Sequence, residues 1–244
     1  MRHFTPPFTS ASLGDALRER GFAVLRAEWL RHAAGVSVHE LDAISTEWDD
    51  LPPDPYLKDG GHYRRRRHAS FVVEAGACAL VPHRPHYQSL DYNALHGGME
   101  RWFEPIAPTL VGAPAFLRLV EALAGLASAA ARERRWFVEA HQFRIDTEAG
   151  IGRPTPEGAH RDGVDFVAVA LVKRASIKGG ETRVFDAESP QGVRFTMTEP
   201  WTLLFLDDSR VVHESTPIQP ETTDSLGHRD TLVVTFRQGG FQQP

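Results

Sequence analysis

Residues 154–237 read PTPEGAHRDGVDFVAVALVKRASIKGGETRVFDAESPQGVRFTMTEPWTLLFLDDSRVVHESTPIQPETTDSLGHRDTLVVTFR and contain three residues whose side chains can bind a metal together. His160 and Asp162 are two positions apart, and His213 follows 51 positions after Asp162. Residues i and i+2 of a β-strand project to the same face, so this spacing places the imidazole of His160 beside the carboxylate of Asp162. The segment between them and His213 is rich in strand and turn signals, and it is long enough to return opposite the pair. We therefore predict a metal site formed by these three residues.

A second His-x-Asp pair in the sequence serves as an internal control. It consists of His228 and Asp230, and no histidine follows it to supply a third ligand. The first pair has such a histidine, His213, shortly after an apolar strand (residues 201–206) and an acidic turn. Two imidazoles and one carboxylate on one face of a metal leave the other face open, which is the arrangement of non-haem Fe(II) oxygenases. The predicted catalytic centre is therefore Fe(II) bound by the first pair and its distal histidine.

Four segments of this region carry a resemblance to a known enzyme family. They are HRDGVDFV (160–167), GGET (179–182), LLFLDDSRVVHEST (203–216) and HRDTLVVTF (228–236). The region resembles the double-stranded β-helix of 2-oxoglutarate/Fe(II)-dependent dioxygenases. It is most similar to the bacterial family that includes free L-isoleucine and L-leucine hydroxylases. The resemblance implies a mainly β fold with flanking helices around a jelly-roll, cupin-like core.

The implied organisation is a single dioxygenase domain over residues 1–244. Residues 1–135 would form a helical support and an active-site loop, and residues 136–240 would form the double-stranded β-helix core. Within the first part, residue periodicity and capping signals predict three helices and one short strand. The expected ranges are 10–20, 27–48 and 114–134 for the helices and 22–25 for the strand.

An Arg-x-Thr pair follows His213 on the expected closing strand. Arg229 and Thr231 lie 16 and 18 residues after that histidine. In the related enzymes an Arg-x-Ser/Thr pair at this place binds the distal carboxylate of 2-oxoglutarate. A guanidinium group matches a carboxylate bidentately, and a hydroxyl two residues away on the same face adds one more donor. By the same resemblance, Thr182 points toward the co-substrate and Gly180 lets the backbone approach it.

The resemblance also implies an oxygenase reaction. Such enzymes use Fe(II), 2-oxoglutarate and O2 to hydroxylate an aliphatic carbon, and they release succinate and CO2. Because Asp162 is present, hydroxylation is favoured over halogenation, since halogenases of this type lack the carboxylate. We expect a free L-amino acid as the substrate. The alternatives are a dioxygenase acting on another small molecule, a protein or a nucleic acid, and a non-catalytic cupin-like module that binds a metal or ligand.

The segment from 83 to 105 is the first source of candidate substrate contacts. It is rich in Gly, Pro and aromatic residues and lacks clear periodicity, so we predict a long functional loop with a short helix. By the resemblance, this loop covers the mouth of the active site. Gln88, Asn93 and Arg101 are therefore candidates for substrate contact, and capping within the loop is the alternative explanation for them.

The strand expected over residues 136–146 is the second source. Its alternation places Gln142 and Arg144 on one face, and His141 with two apolar neighbours on the other. A polar face that includes an arginine suits a pocket for a small charged substrate. A solvent-facing edge explains the same alternation equally well.

A zwitterionic amino acid requires a cation for its carboxylate and an anion for its ammonium group. Arg144 or Arg161 would supply the cation. Glu157 or Asp165, close to the metal strand, would supply the anion. With both ends held, the distance from this clamp to the iron would decide which carbon reacts.

The charge balance argues against a nucleic-acid partner. The chain has a net charge of −5, and an acidic chain does not present the basic surface that nucleic acids require. The basic run Tyr63–His68 is instead expected to be a strand that leads into residues 71–73. Its alternate arginines would face solvent and an interior carboxylate.

The remaining features predict a cytoplasmic protein. A single cysteine, Cys78, excludes an internal disulfide and fits a reducing compartment. The first ten residues lack the apolar centre of a signal peptide, and no run approaches the length of a transmembrane segment, so no membrane partner is expected. The sequence does not define the number of subunits.

Overall fold

The computed structural model describes residues 4–93, 95–222 and 225–244. Its α-helices are α1 (Leu13–Arg20), α2 (Ala27–Ala34), α3 (Val38–Ser45), α4 (Pro108–Val111) and α5 (Pro114–Ala131). Its β-strands are β1 (Phe22–Leu25), β2 (Arg64–Glu74), β3 (Ala77–Leu80), β4 (Arg135–Asp146), β5 (Phe166–Ala175), β6 (Ile177–Gly179), β7 (Thr182–Asp186), β8 (Gly192–Phe195), β9 (Leu203–Asp207), β10 (Val211–Ser215), β11 (Ile218–Pro220) and β12 (His228–Arg237).

The main sheet has seven antiparallel strands in the order β1-β9-β5-β12-β4-β2-β3. A second sheet has the order β10-β7-β8, and β11 pairs with β6. Strand β12 lies in the middle of the main sheet, paired with β4 on one side and β5 on the other. The predicted fold class is confirmed, because the chain is mainly β and its helices flank the antiparallel sheets of a jelly-roll core.

The main sheet buries apolar side chains on both faces. On the outer face, Phe71 and Phe236 pack in one core cluster with the helices. On the inner face, Val169 packs in a second cluster with Val184 of the smaller sheet. Because side chains alternate along a strand, every second residue of β2, β4 and β12 faces the space between the sheets. The functional side chains lie in this space.

Helix α5 is the largest helical contribution to the outer core. Its residues Phe116, Leu119, Val120 and Leu123 are buried. By length and composition alone it is apolar enough to cross a membrane, with a mean hydropathy of 1.3. This corrects the expectation that no run approaches that length. The burial of its apolar side against the sheet and the other helices is that of a core helix.

The helix predicted over residues 27–48 is divided in the structure. Helix α2 ends at Gly35, which adopts a left-handed conformation with φ of 61°. Helix α3 then begins with a capping box, in which the Ser37 hydroxyl accepts from the Glu40 N–H and the Glu40 carboxylate accepts from the Ser37 N–H. A glycine in this conformation ends a helix, and a capping box starts a new one, so the single-helix prediction was wrong. The last residues, Thr46–Trp48, form a short 3-10 turn.

The basic run forms the start of β2, as the alternation predicts. Arg65 and Arg67 are partly exposed, whereas Arg64 and Arg66 are buried on the inner face. The interior carboxylate is Asp54, whose Oδ2 lies 2.7 Å from Nε of Arg64 and 3.7 Å from Nη1 of Arg66. Alternation along the strand thus places two of the four arginines at the surface and two in the interior.

Candidate active site

His160 and His213 meet across an antiparallel bridge between the loop after β4 and strand β10. The backbone N–H of each residue donates to the carbonyl oxygen of the other, over 3.1 and 3.0 Å. Their ring centroids lie 4.8 Å apart. The bridge therefore places two histidines that are distant in sequence side by side.

The carboxylate of Asp162 completes the cluster. Its Oδ1 lies 3.9 Å from Nε2 of His160, and its Oδ2 lies 3.9 Å from Nε2 of His213. One ligand atom from each residue lies within 4.8 Å of the others. The structure thus brings together the three residues that the sequence spacing selected, with their ligand atoms converging on one point.

The protonation of the two imidazoles fits a metal. Nδ1 of His160 donates to the carbonyl oxygen of Gly158 over 2.9 Å, so Nε2, which faces Asp162, is the nitrogen that can bind a cation. Although burial opposes it, the negative charges of Asp162 and Glu157 raise the pKa of His160, so a cation bound there would displace a proton from Nε2. Metal-binding histidines are commonly oriented by such a bond from the other ring nitrogen. Burial, with a contribution from His160, lowers the pKa of His213 to about 4, so this ring is neutral and available to a cation. The donor set and its tautomer therefore suit a divalent ion such as Fe(II).

Two further side chains fix the backbone that carries Asp162. The carboxylate of Asp208 accepts from the N–H groups of Asp162, Gly163 and Val164, over 3.0, 2.8 and 3.1 Å. From the C-terminal tail, Nε2 of Gln242 donates to the carbonyl oxygens of Asp162 and Gly163, over 2.9 Å each. Burial, followed by repulsion from Asp162, raises the pKa of Asp208 to about 7. The metal loop is therefore held by a buried carboxylate and by a half-buried amide of the C-terminal tail.

A second group of residues at metal-ligand spacing comprises His68, His86 and His141. One nitrogen of each ring already takes part in a hydrogen bond. The carboxylate of Glu139 lies 3.1 Å from Nε2 of His68 and 3.2 Å from Nδ1 of His86. Arg66 donates to Nδ1 of His141 over 2.7 Å, so the ring proton of His141 is on Nε2 and neither nitrogen offers a lone pair. We assign this group to a hydrogen-bonded wall of the cavity and the metal to the first cluster.

Arg229, the predicted anchor for 2-oxoglutarate, lies in the cavity of the metal cluster. It lies on the inner face of β12, is buried, and lines the same cavity as the metal cluster, together with Thr231 and Ser215. Among the described residues, no carboxylate lies within salt-bridge distance of its guanidinium group, which leaves this group open to the carboxylate of a ligand. Burial, with repulsion from Arg174, lowers the pKa of Arg229 to about 10. A buried, unpaired arginine flanked by hydroxyl groups fits the distal carboxylate of the co-substrate.

Gly180 is required where the chain passes this anchor. It has a φ of 66°, and a Cβ there would lie 2.9 Å from Nη1 of Arg174 and 3.6 Å from Cδ of Arg229. Thr182, predicted to point toward the co-substrate, pairs with the cavity residue Ser215 across β7 and β10. Its buried hydroxyl has no hydrogen-bond partner among the described residues, although Thr182 is not itself a lining residue.

The predicted contacts of the mouth loop lie in the cavity. Gln88, Asn93 and Arg101 are buried lining residues, and Glu157 lies beside the metal cluster. Oε1 of Glu157 is 3.6 Å from Nε2 of His160, and its Oε2 is buried without a hydrogen-bond partner among the described residues. These four residues are placed where a substrate bound near the metal would meet them.

The structure corrects the placement of Gln142 and Arg144. They lie on the outer face of β4, where Gln142 donates to the carbonyl oxygen of Glu47 and Arg144 pairs with Asp230 and Asp49. The cavity is lined from β4 by the other set, which comprises Glu139, His141, Phe143 and Ile145. The two residues do share a face of β4, as predicted, but Arg144 on that face pairs with Asp49 and Asp230 and not with a substrate.

Arg161 and Asp165 are also placed away from the cavity. Arg161 donates to the carbonyl oxygen of Ser209, and Asp165 accepts from the N–H of Gln238. They alternate with the residues of the same segment that line the cavity, which are His160, Asp162 and Val164. The expectation that these two residues clamp the substrate is therefore corrected.

Several cavity residues were not selected from the sequence. They are Arg64, Arg66, His86, Glu139 and Gln242. Asp208, which holds the backbone of Asp162 from outside the cavity, was not selected either. Arg64 and Arg66 could have been selected from the sequence. In a strand, every second residue of a basic run faces the interior, and an interior carboxylate is expected there from the sequence. Asp208 was indistinguishable from its neighbour Asp207, and Gln242 lies in a tail without periodicity, so neither carried a signal.

Comparison with known proteins agrees with this site. The family model described as 2OG-Fe dioxygenase matches residues 45–235. The fold and the site define a non-haem Fe(II)- and 2-oxoglutarate-dependent dioxygenase, and the chain belongs to the 2OG-Fe dioxygenase family. A search of curated proteins gave no match. The predicted cofactors, Fe(II) and 2-oxoglutarate, are confirmed by this membership.

Solved structures extend the similarity over the whole chain. The chain is 50% identical to a bsmA homolog from Methylobium petroleophilum PM1, with a TM-score of 0.90 and complete coverage of both chains. It is 18% identical to IDO from Bacillus thuringiensis, with a TM-score of 0.75 and coverage of 97% of this chain and 98% of the other. It is 17% identical to the Fe(II)/(alpha)ketoglutarate-dependent dioxygenase TqaL, with a TM-score of 0.71 and coverage of 95% and 88%. The last two similarities show a shared fold.

The chain's own residues define the setting of the reaction. When bound, Fe(II) and 2-oxoglutarate supply the chemistry that activates O2 toward a small-molecule substrate. His160, Asp162 and His213 would hold the metal, and Arg229 with Thr231 would orient the co-substrate. The loop residues and the tail residue Gln242 enclose the cavity and limit the access of water to it.

The metal cluster can be tested with a matched pair of histidine variants. We expect His213→Ala to abolish the binding of one Fe(II) per chain and to abolish turnover, because two ligands do not hold the ion. His228→Ala, in the control His-x-Asp pair, should retain both. Metal content after anaerobic loading and conversion of 2-oxoglutarate to succinate are the measurements. If His213→Ala keeps full activity, His160, Asp162 and His213 do not form the metal site.

The co-substrate anchor can be tested separately. Arg229→Ala should weaken 2-oxoglutarate binding by about 2–5 kcal/mol, because a carboxylate is left without its partner in a buried site. Calorimetric titration of the Mn2+-loaded protein measures this, and Mn2+ binding should survive. Arg237→Ala, farther along the same strand, is the control and should bind normally. If Arg237→Ala loses affinity while Arg229→Ala does not, the anchor is Arg237.

The need for glycine at position 180 gives a third test. Gly180→Ala should weaken 2-oxoglutarate binding several-fold, since the new Cβ displaces Arg174 and presses toward Arg229. Gly35→Ala is the matched control, because its φ is similar and a Cβ there meets nothing within 4 Å. Both variants should lose about 1–2 kcal/mol of stability from the left-handed conformation. Equal 2-oxoglutarate affinity in the two variants would exclude the proposed close approach.

Proposed function

We propose that the enzyme hydroxylates an aliphatic carbon of a free L-amino acid, giving the hydroxy amino acid, succinate and CO2. The resemblance to the free L-isoleucine and L-leucine hydroxylases supports this substrate class. The observation that carries the proposal is the presence of two oppositely charged groups in the metal cavity, each with one buried atom that has no hydrogen-bond partner among the described residues. These atoms are the carboxylate oxygen Oε2 of Glu157 and the guanidinium nitrogen Nε of Arg101.

The cationic side of the cavity is suited to a carboxylate. Arg64, Arg66 and Arg101 line it, and Asp54 is the carboxylate that pairs with the first two. Burial, with repulsion from Arg64, lowers the pKa of Arg101 to about 10. Each of the three guanidinium groups has one buried nitrogen without a hydrogen-bond partner among the described residues. The protein thus contains more buried positive charge at this place than its own carboxylates balance, which favours an anionic group on the substrate.

The orientation of Arg66 is fixed by two aromatic rings. Its guanidinium carbon lies 3.6 Å from the ring centroid of Phe103 and 4.3 Å from that of Phe143. Such stacking leaves the edge of the guanidinium plane available for hydrogen bonds. A preordered cation loses little entropy when it binds a carboxylate, which supports recognition of a small ligand.

The anionic side of the cavity is suited to an ammonium group. Glu157 is mostly buried, beside His160, and part of its carboxylate lacks a partner. An ammonium group would supply the missing donors. Between the charged groups, Phe143, Ile145, Val169 and Val233 offer apolar surface for an aliphatic side chain. The three kinds of surface together match the three parts of an aliphatic amino acid.

A panel of free amino acids tests the proposal. We expect a mass gain of one oxygen atom for at least one aliphatic member, with stoichiometric succinate. N-acetyl and methyl ester derivatives of that member should react about 30-fold or more slowly, because each removes a charge whose buried partner is worth about 2–5 kcal/mol. Equal activity on the blocked derivatives would exclude the clamp.

Matched glutamate variants identify the ammonium contact in the same assay. Glu157→Gln should raise the KM for the amino acid, whereas Glu148→Gln, which changes an exposed carboxylate beside Arg65, should not. Succinate formation in the absence of any amino acid is the reference. Succinate formation without oxygen gain in any panel member would show an active oxygenase with a substrate of another class.

A further inference from the structure

Gln88 of the mouth loop hydrogen-bonds the predicted metal ligand Asp162, at its backbone carbonyl oxygen over 3.4 Å and at its carboxylate. Its Nε2 donates to Oδ1 of Asp162 over 2.9 Å. The backbone of Asp162 is fixed by Asp208 and Gln242, but neither of them touches its carboxylate. Among residues 4–93, 95–222 and 225–244, no other N–H or O–H group lies within hydrogen-bond distance of that carboxylate. The direction in which the carboxylate points therefore depends on Gln88.

The other end of the same amide faces the substrate side of the cavity. Oε1 of Gln88 accepts from Nη2 of Arg101 over 2.9 Å and from Nδ2 of Asn93 over 3.3 Å. Gln88, Asn93 and Arg101 are all at least 95% buried, with exposures of 5%, 5% and 2%. The three residues thus connect a cavity arginine to a metal ligand through a single buried amide.

The orientation of this amide is set by its partners. Arginine only donates hydrogen bonds and a carboxylate only accepts them, so the amide oxygen must face Arg101 and the amide nitrogen must face Asp162. A flipped amide would place like groups against each other at both ends. The loop also holds the residue in place, because His86 and Arg101 form an antiparallel bridge and the N–H of Gly98 donates to the carbonyl oxygen of Gln88.

We propose that Gln88 is a positioning residue that aims the Asp162 carboxylate at the metal and links its orientation to Arg101. With Oδ1 held by the amide, Oδ2, which lies on the side of His213, is the oxygen available to the ion. An anion that binds Arg101 would change the hydrogen bond from Arg101 to Gln88, and this change would reach Asp162 through the amide. The metal site and the substrate site are then coupled through one side chain. The coupling rests on the oxygenase site, and its test needs no amino acid.

Mn2+ affinity, measured by calorimetry on the full chain, tests the link. Gln88→Met keeps the length of the side chain and removes its hydrogen bonds with Asp162, Arg101 and Asn93, so Mn2+ should bind about 10-fold or more weakly, as for other residues that orient metal ligands. The control is Gln142→Leu, which removes a buried amide on the outer face of the main sheet and should leave Mn2+ affinity unchanged. Unchanged affinity in Gln88→Met would overturn the proposal.

Two arginine variants separate the proposed hydrogen-bond link from the effect of charge alone, because the two explanations predict opposite changes in Mn2+ affinity for one of them. Loss of a nearby cation by itself strengthens the binding of Mn2+. Arg84→Met, which removes a cation bonded to Glu139, should therefore bind Mn2+ equally or more tightly. Arg101→Met should bind it more weakly, because the amide loses the donor that fixes its orientation. This comparison also decides the matter if Gln88→Met does not fold.

A double-mutant cycle completes the design. The effect of Arg101→Met on Mn2+ affinity should differ by about threefold or more between the wild-type and the Gln88→Met background, as is usual for residues in one hydrogen-bond network. Equal effects in both backgrounds, or tighter Mn2+ binding by Arg101→Met, would overturn the proposal. Failure of the amino-acid panel would leave these results unaffected, since Mn2+ is the probe.

Discussion

The antiparallel bridge between His160 and His213 is the contact on which the site depends. Its two backbone hydrogen bonds tie an irregular loop to strand β10, and a second bridge between Gly152 and Ile218 ties the same loop further back. A shift of one residue in such a pairing turns each side chain to the opposite face. The imidazoles would then point away from each other, and His160 would exchange places with Arg161. Backbone pairing between the loop and β10 thus decides which residues face the metal.

Buried positive charge without a protein partner is the second feature that explains the cavity. Arg229 and Arg101 lack a carboxylate within salt-bridge distance among the described residues, and Arg66 shares Asp54 with Arg64. An unpaired buried charge destabilises a fold unless something balances it. For Arg229 the predicted balancing group is a carboxylate of 2-oxoglutarate, and for the arginines beside the mouth loop it is the carboxylate of the proposed substrate. The free protein therefore carries an electrostatic cost that its ligands remove on binding.

The parts of the site that the sequence predicts are those encoded by short spacings in a fixed order. Arg229 and Thr231 lie on β12, where a two-residue spacing defines a common face. His160 and Asp162 lie in an irregular loop instead of the expected strand, and the bridge from His160 to His213 gives them the same common side. The side of β4 that faces the cavity was not predictable in this way. Both faces of that strand are covered by other parts of the chain, and both carry polar residues. Alternation therefore shows which residues share a face, but it does not show which of the two faces lines the cavity.

The arrangement of partners around β4 shows why the assignment failed. Near the end of the strand, the outer face carries Arg144, which is satisfied by Asp230 on the neighbouring strand and by Asp49. Asp230 becomes a neighbour only through the register of β12 with β4, and that register is a property of the assembled sheet. The mouth loop was likewise only partly predictable. Its residues were correctly expected near the cavity, but the hydrogen bond from Gln88 to Asp162 joins residues 74 positions apart and depends on the assembled fold.

The two histidine clusters show that spacing alone does not define a metal site. Both offer three ligand atoms within 4.8 Å of one another. In the first, the bond from Nδ1 of His160 to a backbone carbonyl points outward and leaves Nε2 free. In the second, the proton of the His141 ring is forced onto Nε2 by Arg66, and Glu139 lies between the other two rings. A cation entering there would meet ring protons and the positive charges of Arg66 and Arg84. The hydrogen-bond donors around each cluster, more than the histidines themselves, therefore direct the metal to His160, Asp162 and His213.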